Sequence, residues 1–309
     1  MENEKLYDLI IIGAGAAGLT ASIYASRYKI KHLVLGKVPG GMTLEAHKIE
    51  NYPGYKSISG MELMQKFQEH AKNLGAKIEQ TEAANIKKKN KEFEITDSKN
   101  RKYQTKTLIL ALGTKRRKLN IPGEKKLLGK GVSYCAVCDA MFYKDEVVAV
   151  IGGSDAAVMA ALLLTEHAKK IYIIYRKAKL RAEPIMVEKV EADPKIEIIY
   201  STNVLEIKGE EKVEKIVLDR EYKGNKELKL DGIFVEIGST PAVSLAQKLG
   251  VEVDQENYIK VDTYRATNVP GVFAAGDITS GLAKLRQIVT AAAEGAVAAT
   301  SVYDYLKTK

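Results

Sequence analysis

Many hydrophobic residues along this chain fall in short runs closed by glycine or charge, and two of these runs lead through a glycine turn into a segment of helical character. Residues 7–28, YDLIIIGAGAAGLTASIYASRY, set the type: a β-branched run, three glycines, then small residues suited to a helix lying close to its strand. A second copy starts at Val147, VVAVIGGSDAAVMAALLL. Apolar runs at 31–35, 170–175, 231–238 and 271–276 predict further buried strands, and 196–230 reads as a strand-rich stretch. Residues 285–306 are alanine-rich, carry apolar residues all along with a single helix-tolerated glycine, Gly295, and predict a buried helix. Strands alternating with helices predict an α/β protein with parallel sheets.

Each glycine turn carries chemistry. In Gly13-x-Gly15-x-x-Gly18 the first glycine permits a tight turn, the second lets backbone approach a pyrophosphate, and the third lets helix pack against strand. The helix N-terminus then faces the phosphates. The second turn runs Gly152-x-Ser154-x-x-Ala157, with serine at the point of closest approach. The strand after the first turn ends in Gly36-Lys37 instead of the acid that holds ribose hydroxyls, so the ribose is held in another way. The strand after the second ends in Arg176-Lys177, with Arg181 close behind and no acid before Glu183. Cations there favour a 2′-phosphate, hence NADP over NAD. Residues 39–43, Pro-Gly-Gly-Met-Thr, form a loop suited to bringing backbone donors to a ring or phosphate. An apolar run ending in Gly276-Asp277 suits either a carboxylate aimed at a ligand or an ordinary helix cap.

A chain of 309 residues, 46% of them hydrophobic, fits one large or two medium domains. The net charge of +9, with basic runs at 87–89 and 115–118, reads as a solvated surface, because no aromatic-interleaved nucleic-acid motif accompanies it. Acids precede the first apolar run, so no export signal is expected. The longest uncharged stretch, 9–26, is broken by three glycines, so no membrane span is expected either. With only two cysteines there is no disulfide framework, and a cytoplasmic location is expected. His32, His47, His70 and His167 lack ligand spacing, so no metal is expected.

The order of parts carries a resemblance. GAGAAG at 13–18, GGMT at 40–43, ENYPG at 50–54, CAVCD at 135–139, the glycine turn at 152, YRKAKLRAE at 175–183 and FAAGD at 273–277 with RQI at 286–288 together resemble the low-molecular-weight thioredoxin reductases, over essentially the whole chain. The resemblance implies two Rossmann-like domains, the second inserted in the first: an FAD domain of 1–116 and 244–309, and an NADPH domain of 117–243 that carries the redox cysteines. The two would rotate against each other in a homodimer, with crossings near 114–120 and 239–245.

A Cys-x-x-Cys pair closes a small ring and suits reversible two-electron exchange with another disulfide. By resemblance, Cys138 faces the flavin, Cys135 attacks or resolves the partner disulfide, and Asp139 moves a proton to and from the dithiol. For FAD the matches are Gly13, Gly15, Ala16 and Gly18 at the pyrophosphate, with Gly36 beyond the next strand. Gly40, Gly41, Met42, Thr43 and Asn51 lie around the ribityl chain and ring, Gly113 after the Ala111-Leu112 pair, Gly276 and Asp277 on the ribityl side, and Arg286, Gln287 and Ile288 near the isoalloxazine. For NADPH they are Gly152, Gly153, Ser154, Asp155 and Ala156 at the turn, Arg176, Lys177 and Arg181 at the phosphate, and Gly238. Departures gather in this second half: Ser154 for glycine, Tyr175 for histidine, Lys177 for arginine and Ala242 for asparagine.

The implied activity is reduction of thioredoxin or a glutaredoxin-like protein by NADPH. Alternatives keep the fold and change an end: NADH or another donor, a peroxiredoxin system, or a ferredoxin–NADP oxidoreductase. The last typically lacks the cysteine pair, and the peroxiredoxin type usually carries an extra N-terminal domain. A nucleotide-binding sensor without turnover is the non-enzyme alternative.

Overall fold

The structure, a computed structural model, describes residues 6–46, 48–280 and 285–308, so His47 lies outside it. The chain divides into two compact units, Met1–Lys115 with Thr240–Lys309, and Arg116–Ser239. The first unit opens with β1 (Leu6–Ile12), α1 (Ala16–Arg27), β2 (His32–Leu35), α2 (Gly60–Asn73) and β3 (Lys77–Glu79), and continues through β4 (Ala83–Lys89), β5 (Glu92–Asp97), β6 (Lys102–Leu110) and β7 (Thr114–Arg116). The second unit holds β8 (Val132–Ser133), α3 (Ala136–Asp139), β9 (Val147–Ile151), α4 (Asp155–Leu164), β10 (Lys170–Ile174), α5 (Pro184–Ala192) and β11 (Ile196–Ile199). There follow β12 (Val204–Lys208), β13 (Lys215–Tyr222), β14 (Asn225–Lys229) and β15 (Gly232–Val235). The chain returns through β16 (Ser239–Pro241) to α6 (Ser244–Lys248), β17 (Val272–Ala274) and α7 (Ile288–Lys307).

The unbroken apolar runs are explained by burial on both faces. Leu9, Ile10, Ile11 and Ile12 of β1 are all at most 1% exposed; Leu9 and Ile11 belong to the core packed by α1 and α7, Ile10 and Ile12 to the core beneath the opposite face. A central parallel strand covered on both sides reads as continuous hydrophobicity rather than alternation. Truncating one of these isoleucines to alanine costs about 2–5 kcal/mol.

The first unit's main sheet runs β3-β2-β1-β6-β5-β4, and β17 also pairs with β6. The pairing of β6 is split: Lys102 to Thr105 run antiparallel to β5, whereas Leu108 to Leu110 run parallel to β17. That split sets the carboxyl ends of β1, β6 and β17 side by side. In the second unit all five strands of β11-β10-β9-β15-β8 are parallel, with α4 and α5 on one face. The antiparallel sheet β12-β13-β14 covers the other face through Val204, Ile207, Ile216 and Leu218.

The expected wholly buried helix at 285–306 needs correction. α7 begins at Ile288 and buries one side, through Glu294, Gly295, Ala298, Ala299 and Val302, leaving Val289 and Val297 about two-fifths exposed at 38% and 40%. The buried side lies against α1, where a Cβ on Gly295 would stand 2.1 Å from the Ala17 carbonyl oxygen. Helices this close need small residues on the facing side, and the apolar content of the other side then carries no burial signal.

Candidate functional site

Two clusters of candidate residues form, one in each unit, at the carboxyl ends of its parallel strands. In the first unit, Gly13 follows β1 with φ +116°, and a Cβ there would fall 2.0 Å from the carbonyl oxygen of Ala111, just after β6. Only glycine tolerates both the angle and the approach. A Cβ on Gly18 would lie 1.9 Å from the Gly13 carbonyl oxygen, so the start of α1 sits directly on the turn. At Gly15 the situation reverses: a Cβ there would meet nothing within 4 Å.

Residues distant in sequence converge on this turn. Gly40 N–H donates to the Ala14 carbonyl at 2.7 Å, and a Cβ on Gly41 would stand 3.3 Å from the Gly15 Cα. Gly36, after β2, abuts Ala14, while Gly276, after β17, abuts Ala17. Thr114, following Gly113, donates to the Met42 Sδ at 3.4 Å. Thr43 lies in a short 3-10 segment, Gly41–Glu45, closed on Gly60. The Asn51 amide donates to the Gln287 side chain at 3.2 Å, and Gln287 caps α7, which starts at Ile288.

Arg286 stacks its guanidinium 3.8 Å from the centre of the Tyr258 ring, yet its buried Nε has no hydrogen-bond partner. Burial pushes the Asp277 carboxyl above its ordinary range; the Arg286 charge opposes the rise and the Glu294 charge adds to it. Among the described residues, Asp277 makes no side-chain hydrogen bond. An open glycine turn at a helix N-terminus, a guanidinium with an unpartnered Nε and a partly buried carboxyl fit a dinucleotide with a hydroxylated linker.

In the second unit the turn after β9 is built the same way. Gly152 has φ +149°, and a Cβ there would lie 2.1 Å from the Glu236 carbonyl oxygen. Gly153 accepts from the Arg181 N–H at 2.6 Å, and the Asp155 carboxylate accepts from Glu183 N–H at 2.7 Å, tying 181–183 to the turn. Ala156 lies exposed in the first turn of α4, and Ser154 precedes that helix without capping it by its side chain. Arg176 and Lys177 are exposed just beyond β10, with Arg181, and Gly238 follows β15 with open space at its Cα. Tyr175 is buried, its ring lying where a Cβ on Gly153 would approach to 2.5 Å, and its hydroxyl has no partner.

The cysteines share this edge, because β8 pairs parallel with β15 and runs directly into them. Cys135 and Cys138 form a disulfide, with Cα atoms 5.3 Å apart. Cys135 is half-buried and Cys138 exposed. Asp139 ends the same turn of helix and accepts from the Ser133 hydroxyl at 2.6 Å. Tyr143 lies close enough that the Asp139 charge, after burial, pushes its hydroxyl upward. Among the described residues no group of three or more potential metal ligands occurs, and no helix is long and apolar enough to cross a membrane.

The sequence profile of the family described as pyridine nucleotide-disulphide oxidoreductase matches residues 7–295. The chain belongs to that family. It is 40% identical to a thioredoxin reductase of Bacillus subtilis over 99% of this chain and 97% of the relative. Among solved structures, Lactococcus lactis thioredoxin reductase matches with a TM-score of 0.93 at 38% identity, over 98% of this chain and 100% of that one. The thioredoxin reductase of T. acidophilum matches with a TM-score of 0.91 at 39% identity, over 97% of this chain and 99% of that one. Family membership brings an oxidoreductase that uses flavin and pyridine nucleotide, with the Cys135–Cys138 pair as its disulfide.

Several residues at these sites escaped the sequence reading. Ser133 stands two positions before Cys135 in a strand of only two residues, too short for periodicity to register. Glu294 and Arg265 are buried charges 29 positions apart, and the one available signal was an acid flanked by alanine and glycine in the middle of an alanine-rich helix. Glu124, which binds the Leu119 and Asn120 N–H groups at 2.7 Å and the Tyr134 hydroxyl, gave no signal at all.

Proposed function

We propose that the protein is a thioredoxin-disulfide reductase, passing electrons from NADPH through FAD to the Cys135–Cys138 disulfide and on to thioredoxin or a glutaredoxin-like protein. The observation that carries this reading is a Cys-x-x-Cys disulfide at a parallel sheet's carboxyl edge with Asp139 in the same helical turn. Bound FAD supplies a carrier that accepts a hydride from the nicotinamide and delivers two electrons to the disulfide.

The residues take these parts. Gly13, Gly15, Ala16 and Gly18 receive the FAD pyrophosphate in the open space over Gly15. Asp277 would bind hydroxyls of the linker, and Arg286, Gln287 and Ile288 would hold the flavin ring. Residues 152–156 receive the NADPH pyrophosphate, while Arg176, Lys177 and Arg181 neutralise the 2′-phosphate. In the reduced protein the Cys135 thiolate attacks one sulfur of the partner disulfide. That bond breaks, and the released sulfur takes a proton. Cys138 then attacks the Cys135 sulfur of the mixed disulfide, re-forming the internal bond and releasing the second partner thiol. Two electrons and two protons leave the dithiol, with Asp139 exchanging a proton at the pair. The same resemblance supports a homodimer in the cytoplasm, with the unit Arg116–Ser239 as the nucleotide- and cysteine-bearing domain.

A second reading keeps the disulfide chemistry and changes the donor. It is favoured by Tyr175, whose ring packs on Gly153 at the second turn, and by Lys177, which keeps charge without a bidentate fork. An anaerobic titration of the FAD-loaded protein with NADPH and with NADH, following flavin absorbance, decides between them. Reduction by NADPH with two hydride equivalents taken up, one for the flavin and one for the disulfide, falling to one in Cys138→Ser, is the expected result. Reduction by dithionite alone, followed by transfer to thioredoxin, assigns the protein another donor. No transfer to any protein disulfide from the reduced protein overturns the reductase reading.

A further inference from the structure

Ser133 is 4% exposed and its position is set by the parallel pairing of β8 with β15, where it stands opposite Phe234. Its Oγ has three polar neighbours. It accepts from the Cys135 N–H at 3.0 Å, lies 2.6 Å from the Asp139 Oδ2, and lies 3.3 Å from the Cys135 carbonyl oxygen. A hydroxyl has one proton to give, and the shorter contact to a carboxylate oxygen is the stronger site for it. The one hydroxyl therefore joins both ends of the Cys-x-x-Cys turn, by accepting at its first residue and donating just past its last.

We propose that Ser133 is a positioning residue for the dithiol chemistry, holding the Asp139 carboxyl by Oδ2 in the turn that follows Cys138, fixed to take and return the pair's proton. This deepens the reductase reading and rests on its dithiol step, not on the donor or the partner. Asp139 is only partly buried and makes no other side-chain hydrogen bond among the described residues, so without Ser133 its carboxylate is free to turn toward solvent. A proton donor held in place keeps its catalytic geometry; one that rotates freely loses it for most of the time.

The test uses the FAD-loaded protein and dithiothreitol, which bypasses donor and partner. A dithiothreitol thiolate bonds to one cysteine sulfur as the Cys135–Cys138 bond breaks, and the released thiolate takes a proton from Asp139. The second dithiothreitol thiol closes its own ring and frees the other cysteine. Samples quenched with an alkylating agent and read by mass spectrometry give the rate for native protein, Ser133→Ala, Ser133→Thr, Asp139→Asn and the Ser133→Ala/Asp139→Asn double variant, with an unfolding midpoint for each. Ser133→Ala is expected to react roughly tenfold more slowly. Ser133→Thr is expected to keep most of the native rate, and the double variant to react no more slowly than Asp139→Asn. A native rate in Ser133→Ala overturns the proposal. So does an equal slowing by Ser133→Ala in the Asp139→Asn background, which makes the hydroxyl a prop for the turn and nothing more. If the coupling holds while reduced native protein passes no electrons to thioredoxin, the reductase reading falls and the Ser133 assignment stands.

Discussion

The Arg265 guanidinium lies 3.3 Å from the Glu294 carboxylate, and the two residues are 8% and 5% exposed. Glu294 also accepts from the Gly276 N–H at 2.8 Å and the Thr279 hydroxyl at 3.0 Å. One carboxylate on α7 therefore holds the turn that carries Asp277 and is itself neutralised by a buried cation.

Removing one member of a buried pair leaves the other charge uncompensated. Glu294→Gln is expected to destabilise the protein by about 3 kcal/mol, read from the urea midpoint. Adding Arg265→Met to Glu294→Gln should recover part of that loss, since no buried charge then remains.

Gly15 and Gly18 stand three residues apart in one motif and answer differently to the same substitution. Gly15→Ala, with its methyl in open space, should change stability by less than about 0.5 kcal/mol while weakening FAD binding about tenfold. Gly18→Ala drives a methyl into the Gly13 carbonyl and should cost about 3 kcal/mol or more. Thermal melting of the apoprotein and flavin fluorescence titration separate the two effects.

Asp97 gives the fold an acid limit. Burial alone would raise its carboxyl, but N–H donors from Arg101 and Lys99, the Arg101 guanidinium and the Thr81 hydroxyl outweigh it and hold the group at about 2, below its ordinary 3.8. A depressed carboxylate stabilises fully above its unfolded value and loses that contribution as pH falls through the folded one. The stability gap between native protein and Asp97→Asn should therefore shrink by about 2 kcal/mol on acidification from pH 4 toward pH 2. Urea unfolding of both proteins across that window measures it.

Arg176 and Arg181 lie beyond β10 with their charges exposed. If they meet a 2′-phosphate, the Arg176→Ala/Arg181→Ala double variant should raise KM for NADPH about tenfold or more and leave that for NADH nearly unchanged. Equal effects on both nucleotides would remove these arginines from the 2′-phosphate and leave them as surface charge.

The amino-acid sequence by itself determined what short-range chemistry decides. Unbroken runs such as 9–12 mark strands covered on both faces, because a parallel strand has no wet side, and the glycines at 13 and 152 mark turns whose backbone angles exclude a side chain. The spacing of Cys135 and Cys138 within one helical turn likewise suffices to place their sulfurs together. Tertiary structure alone decided the rest. The split pairing of β6, the one-sided burial of α7, the reach of Glu294 to Gly276 and the position of Ser133 under Asp139 each depend on which surfaces meet after folding. A residue's own neighbours in the chain carry its period and its turn, whereas a buried charge or a single hydroxyl acquires its partner only when distant segments pack.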